Sequence, residues 1–187
     1  FMLAYILVAS YFSPDTAIDL GRFLIQISLP ERGISALNKA ENEEERFYTL
    51  GDAAKEAFSL GKFDDAKKFA LELEELTPKY KGNWNYGNAI QNSNIILGRI
   101  ALKEGRVEDA KQFLIKAGES PGSPQMNTFG PNMSLAKDLI EYGETEVVIE
   151  YLNLCKSFWG MSGGRLEGWI ILLQTGQTPN LGANCNY

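Results

Sequence analysis

Three basic residues occupy equivalent positions along the chain, and their side chains are the best candidates for ligand chemistry. Each lies six positions before a glycine: Lys55 before Gly61, Arg99 before Gly105, and Lys137 before Gly143. Lysine and arginine donate charge-assisted hydrogen bonds to carboxylates, so such a row could hold the terminal carboxylate or an acidic side chain of a peptide. The alternative is that these are ordinary solvated charges paired with nearby acids.

The stretch before Arg99 is rich in amides and aromatic rings. Five asparagines alternate with Trp84 and Tyr86 over a dozen residues: Asn83, Asn85, Asn88, Asn92 and Asn94. Amides can clamp a peptide backbone and rings supply contact area, which favours a polar-aromatic ligand surface. A loop leading into a helix, with the rings packed beneath it, is the alternative interpretation.

Helical spacing brings two more residues to the face of Arg99. Asn92 lies seven residues before Arg99, and Lys103 lies four residues after it. We therefore predict a partner-binding set made of Lys55, Asn88, Asn92, Arg99, Lys103 and Lys137.

The residue types that most enzymes need are scarce in this chain. The sequence has no histidine and two cysteines, Cys155 and Cys185, whose spacing suits neither a disulfide framework nor a metal site. Residues 160–164 match the G-x-S-x-G nucleophile string, but they join two predicted helices and no histidine could deprotonate Ser162. We expect no catalytic residue, no metal and no cofactor.

Composition fits a folded domain that does not bind nucleic acid. The chain has 187 residues, 44% of them hydrophobic, and a formal net charge of −6. A nucleic-acid-binding domain would show a basic face, which this balance argues against.

The glycines that set the basic row also divide the sequence into paired helices. Before each glycine, apolar residues recur at the i, i+3, i+4 and i+7 positions of an amphipathic helix, as in Leu50, Ala53, Ala54 and Ala57. After each glycine comes a small residue at a helical crossing point: Ala66, Ala110 and Val148. A left-handed glycine can end the first helix of each pair.

This pattern resembles the tetratricopeptide repeat over residues 45–159. Residues 47–78 carry the resemblance best, through Leu50, Ala54, Ala57, Gly61, Phe63, Ala66 and Pro78. The third copy departs from the family pattern, with Thr145 and Val148 where the family prefers an aromatic residue and alanine. The resemblance implies an all-α fold: a right-handed stack of antiparallel helix pairs, about three repeats with capping helices, whose first helices line a concave face.

We predict one helical-repeat domain over residues 1–187. Its parts are an apolar segment and degenerate hairpin at 1–45, repeats at 46–80, 81–124 and 125–161, and a capping helix and tail at 162–187. Residues 118–131 hold three prolines and three glycines and are predicted to be a long loop without helix. The apolar run 1–12 is a buried helix, the remnant of a signal or anchor, or a partner-binding element.

The expected function is a non-catalytic scaffold or adaptor that binds a peptide or partner protein, with acidic groups as one form of the ligand. The alternative is an assembly component docked to a membrane or sister subunit through its apolar N-terminus. A cytoplasmic and an exported location both remain open.

Overall fold

The computed structural model describes residues 32–185, and this part of the chain is helical without any β-strand. The α-helices are α1 Arg32–Asn38, α2 Glu43–Ser59, α3 Phe63–Leu76, α4 Tyr86–Lys103, α5 Val107–Gly118, α6 Pro124–Phe129, α7 Ser134–Glu141, α8 Thr145–Cys155 and α9 Arg165–Gln174. Short 3₁₀ helices cover Thr77–Tyr80 and Gly182–Cys185. The prediction of an all-α fold is confirmed, whereas the apolar run 1–12 lies outside the described residues.

Three helix pairs, α2–α3, α4–α5 and α7–α8, share one kind of turn. The turn glycines Gly61, Gly105 and Gly143 have φ values of 74°, 76° and 84°. In each turn the residue after the glycine donates its N–H to a carbonyl five positions back, as from Lys62 to Ala57 at 2.9 Å. The glycine itself donates to the carbonyl three positions back, which completes a Schellman motif. The sequence therefore specifies these turns through glycine's access to positive φ.

The small residues after the turns lie between helices. Ala66, Ala110 and Val148 are each fully buried. Gly98 on α4 lies so close to its neighbours that an added Cβ would be 2.3 Å from Leu135 Cδ2. Small side chains thus allow the close helix contacts, and the larger Leu73 and Leu114 on the same helices are also fully buried.

The helices pack mainly against their neighbours in sequence, with α4 as the central contact. Helix α4 packs against α2, α3, α5 and α7, while α5 also contacts α8, and α8 contacts α9. One hydrophobic cluster joins α1 to the first helix pair, a second joins that pair to α4, and the largest extends from α4 to α9 and Leu181. No helix within residues 32–185 is long and apolar enough to span a bilayer.

The prediction that residues 118–131 contain no helix is wrong. Helix α6 begins after Ser123, whose side chain accepts a hydrogen bond from Met126 N, and Pro124 occupies its first turn. Gly130 ends the helix with a φ of 92°. Proline is well tolerated at a helix start, and glycine at a helix end. Pro124 and Gly130, which would break a longer helix, therefore mark the two ends of this short helix.

The third pair has a short first helix, preceded by residues 119–133. Helix α7 has 8 residues, compared with 17 in α2 and 18 in α4. The preceding segment contains α6 and is hydrogen-bonded to α4 through Ser120 and Ser123. It also brings Gln125 of α6 within hydrogen-bond distance of Asn88 on α4.

Candidate binding groove

Two adjoining cavities form a groove along α2 and α4. They have volumes of about 540 and 520 Å³, and both are lined by Lys55 and Asn132. The first, here called the aromatic pocket, includes Tyr48, Trp84 and Asn92. The second, here called the basic pocket, includes Phe58, Phe63, Arg99 and Lys103.

The floor of the basic pocket is aromatic, and its cations lie over the rings. Phe58 and Phe63 pack edge to face with centroids 5.2 Å apart. Arg99 Cζ lies 4.3 Å from the Phe58 centroid, and Lys103 Nζ lies 4.7 Å from that of Phe63. Cations in such positions are attracted to the ring faces, so the rings help to orient both side chains.

The predicted cations differ in their access to an external anion. Lys55 Nζ lies 2.8 Å from Asp52 Oδ1, and Arg99 Nε lies 2.7 Å from Asp138 Oδ2. Lys103 is exposed, and within residues 32–185 it pairs with no carboxylate. Lys103 is therefore the cation of the groove that is readiest to accept a new carboxylate.

Lys137 does not line this groove. It lies beside the tail, in a third cavity with Pro179, Leu181 and Cys185, and Cys185 also lines the basic pocket. Its ammonium is 3.8 Å from Glu141, the acid one turn along α7. The shared distance from a glycine therefore places Lys55 and Arg99 on the groove and Lys137 in a neighbouring cavity.

The aromatic pocket presents a partly exposed ring stack. The rings of Tyr48 and Trp84 have centroids 5.8 Å apart and an interplanar angle of 20°. Trp84 is 52% exposed, and the Tyr48 hydroxyl accepts a hydrogen bond from Asn83 Nδ2. The asparagine anchors one ring and leaves the indole face accessible.

Asn88 and Asn92 both line the aromatic pocket but differ in their bonding. Asn88 donates to Gln125 and Asn85 and accepts from Ser123, so it ties α4 to the segment around α6. Among the described residues Asn92 has no side-chain hydrogen-bond partner. Its amide lies against Gly51, where an added Cβ would be 2.7 Å from Asn92 Nδ2. Asn88 is thus structurally engaged, while the Asn92 amide is available to a ligand.

A buried hydrogen-bond network holds one wall of the groove, and the sequence patterns considered above did not predict it. Gln91 Oε1 accepts from Asn132 N at 2.9 Å, and Gln91 Nε2 donates to the Tyr151 hydroxyl. That hydroxyl donates to Asn132 O at 2.9 Å. The available signal was a glutamine in the apolar helix α4, which needs buried partners.

The tail reinforces the same wall. Asn184 Nδ2 donates to the carbonyls of Phe129 and Pro131, and Asn184 O accepts from Met133 N at 2.8 Å. The backbone between α6 and α7 is therefore bonded on one side to α4 and on the other to the tail.

No group of three His, Cys, Asp or Glu within residues 32–185 could hold a metal ion. Burial raises the pKa of the Cys155 thiol well above its usual value, which favours the neutral form over the nucleophilic thiolate. Burial likewise raises the pKa of Cys185, which lines the basic pocket.

Comparison of the chain with protein-family models, with curated proteins and with solved structures finds no match. Any function assigned to the chain therefore rests on the geometry of its groove.

Proposed function

We propose that this protein is a non-catalytic scaffold that binds a peptide segment of a partner protein in the groove between α2, α4 and α6. The observation that carries the proposal is the grouping of five predicted side chains in two adjoining cavities: Lys55, Asn88, Asn92, Arg99 and Lys103. An elongated groove with ring faces, an unpaired amide and an exposed ammonium suits a peptide better than a compact small molecule.

An acidic group is the proposed feature of the ligand at the basic pocket. A carboxylate on Lys103 would gain a charge-assisted hydrogen bond, and Arg99 and Lys55 lie beside it. Because Asp138 and Asp52 already pair with those two residues, we propose that one ligand carboxylate is recognised rather than a run of acids.

We further propose that the helix pairs stack in the manner of tetratricopeptide repeats. The three equal Schellman turns and the burial of Ala66, Ala110 and Val148 support this proposal. In such a stack the first helices of each pair line the concave face, which would be the face of the groove.

The test is binding of the purified chain to two matched sets of immobilised hexapeptides. One set carries glutamate at a fixed position, the other carries glutamine there, and the remaining positions are varied identically. We expect more binding to the glutamate set. The Lys103→Ala variant should lose that preference because it lacks the unpaired ammonium.

Lys68→Ala is the matched control, since Lys68 is an exposed lysine on α3 that lines neither pocket. Arg99→Glu would not serve as a further test of acid recognition. It would place a second carboxylate beside Asp138 and remove the ion pair between Arg99 and Asp138. Equal binding of wild type and Lys103→Ala to the glutamate set would refute the proposed acid recognition.

A further inference from the structure

We infer that the groove recognises two features of one extended peptide segment. An apolar side chain of the ligand would pack on Trp84, and a ligand carboxylate a fixed number of residues away would bind Lys103. This inference rests on the proposed function and adds a motif to it. The aromatic pocket and the basic pocket are then two subsites for one ligand.

The aromatic pocket has the parts that hold an apolar side chain and its backbone. Trp84 is stacked on Tyr48 and still exposes about half of its surface. The Tyr48 hydroxyl is in turn held by a hydrogen bond from Asn83. An apolar side chain placed on the indole face would remove both surfaces from water. The Asn92 amide, which has no partner among the described residues, could donate to the C=O and accept from the N–H of one extended ligand residue.

The distance between the subsites follows from helix geometry. Asn92 and Lys103 both belong to α4 and are eleven residues apart. At a rise of 1.5 Å per residue this separation is about 16 Å, which an extended peptide spans in about five residues. Trp84 lies just before Tyr86, the first residue of α4, which is seventeen residues or about 26 Å from Lys103, so the apolar side chain would lie about five to eight residues from the carboxylate.

Charge argues for a peptide rather than another occupant. The chain carries a net charge of −6, yet the far end of this groove presents Lys103 over an aromatic floor. A neutral oligosaccharide could use the ring stack and the amide but would leave Lys103 unused. The peptide accounts for both ends of the groove.

The experiment measures the affinity of labelled peptides in which phenylalanine and glutamate are separated by one to nine glycine–serine spacer residues, in both chain directions. Binding to the wild-type chain should be tightest at a separation of about five to eight residues. Replacing phenylalanine by serine should weaken binding about tenfold, the usual scale for one well-packed apolar anchor.

Two variants separate the subsites. Trp84→Ala should lose the preference for phenylalanine and keep the preference for glutamate over glutamine, whereas Lys103→Ala should do the reverse. Tyr142→Ala is the aromatic control, because Tyr142 is 59% exposed and lines neither pocket. Acrylamide quenching gives a second readout, since Trp159 and Trp169 are only 1% and 8% exposed and Trp84 is the accessible indole.

The outcomes distinguish the inference from the proposed function. Glutamate-dependent binding without dependence on phenylalanine or spacing would overturn the two-subsite inference and leave the peptide scaffold standing. Absence of binding by all peptides would overturn both. Protection of Trp84 by a neutral oligosaccharide such as cellohexaose, with no protection by the peptides, would overturn both in favour of a carbohydrate ligand.

Discussion

At the scale of single residues, polar groups inside the molecule position the groove wall. Gln91 is 3% exposed, and it satisfies the backbone N–H of Asn132 while contacting the Tyr151 hydroxyl. Each partner is buried, so none can turn to water if the network is broken. A buried donor that loses its acceptor costs more than an ordinary hydrogen bond contributes.

Gln91→Leu should therefore lower the free energy of unfolding by about 1–3 kcal/mol, because Asn132 N would lose its acceptor. Urea titration followed by circular dichroism measures the change. Gln112→Leu is the matched control on exposed helix surface and should change stability by less than about 0.5 kcal/mol. Equal losses in the two variants would contradict the structural role of Gln91.

Stability should decrease at alkaline pH because of Cys155 and Tyr151. Burial raises the pKa of both groups above their unfolded-state values of about 8.5 and 10. Both groups release protons first in the unfolded chain, so their stabilising effect is complete below those values and is lost as pH rises above them. Above its unfolded-state pKa, each group lowers the free energy of unfolding by up to about 1.4 kcal/mol per pH unit.

The measurement is the free energy of unfolding between about pH 7.5 and pH 11, and Cys155→Ala should flatten the decrease below about pH 10, where Tyr151 has no effect yet. Alkylation with iodoacetamide is an independent check. The Cys155 thiol should react in urea and resist in the native state, where it is buried. Rapid native alkylation would contradict its placement.

At the scale of elements, the three glycine turns can be compared with a glycine inside a helix. Gly105 has a φ of 76° and no atom within 4 Å of an added Cβ, so a side chain there is strained by the backbone alone. Gly168 lies within α9, with equally open space and without positive φ. The same substitution should therefore act in opposite directions at the two positions.

Gly105→Ala should destabilise the protein by about 1 kcal/mol, the usual cost of a left-handed alanine. Gly168→Ala should stabilise it by about 0.5–1 kcal/mol, because alanine is the better helix former. Thermal unfolding of both variants tests the pair. The same sign of change at both positions would contradict the turn assignment.

The helices and turns were predictable from local pattern, but α6 was not. Apolar periodicity and the turn glycines predicted α2 to α5, and the structure adds Asn42 as the N-cap of α2. In residues 118–131 the number of prolines and glycines led to the prediction of a loop, although Ser123 followed by Pro124 is a typical helix start. The prediction was wrong because the positions of these residues matter more than how many there are.

The groove was predictable in part, because helical register identifies residues that share a face. Asn92, Arg99 and Lys103 of α4 could be grouped in this way, and Lys55 of α2 could be added from its distance to Gly61. Their partners could not, since Arg99–Asp138 and Asn88–Gln125 join segments that are 39 and 37 residues apart. Long-range pairing depends on how helices pack, which periodicity does not encode.

At the scale of the described domain, the tail stabilises a region far from it in sequence. Asn184 lies more than fifty residues from the carbonyls of Phe129 and Pro131 that accept its hydrogen bonds. Gly130 between them is closely packed, since an added Cβ would be 2.4 Å from Trp159 Cζ2. The tail, Trp159 and the groove wall thus stabilise one another.

Asn184→Ala should increase backbone amide exchange in residues 129–134, because the two carbonyl contacts disappear. Hydrogen–deuterium exchange with mass spectrometry measures the effect. Asn180→Ala provides the control, since Asn180 is exposed and its side chain bonds locally to Gly182 N. Unchanged exchange in Asn184→Ala would show that the tail does not support the wall.

The pairing of Lys55 and Arg99 with acids also has a kinetic consequence for the proposed ligand. The chain is net negative, and two of the groove's three cations are neutralised at short range. An anionic peptide would therefore be repelled by the net negative charge of the chain as it approaches. Its attraction to Lys103 would act only at short range. Added salt should then speed its arrival, since ions screen repulsion beyond about 10 Å at 0.1 M. The same salt should shorten its residence, because it also weakens the final contact.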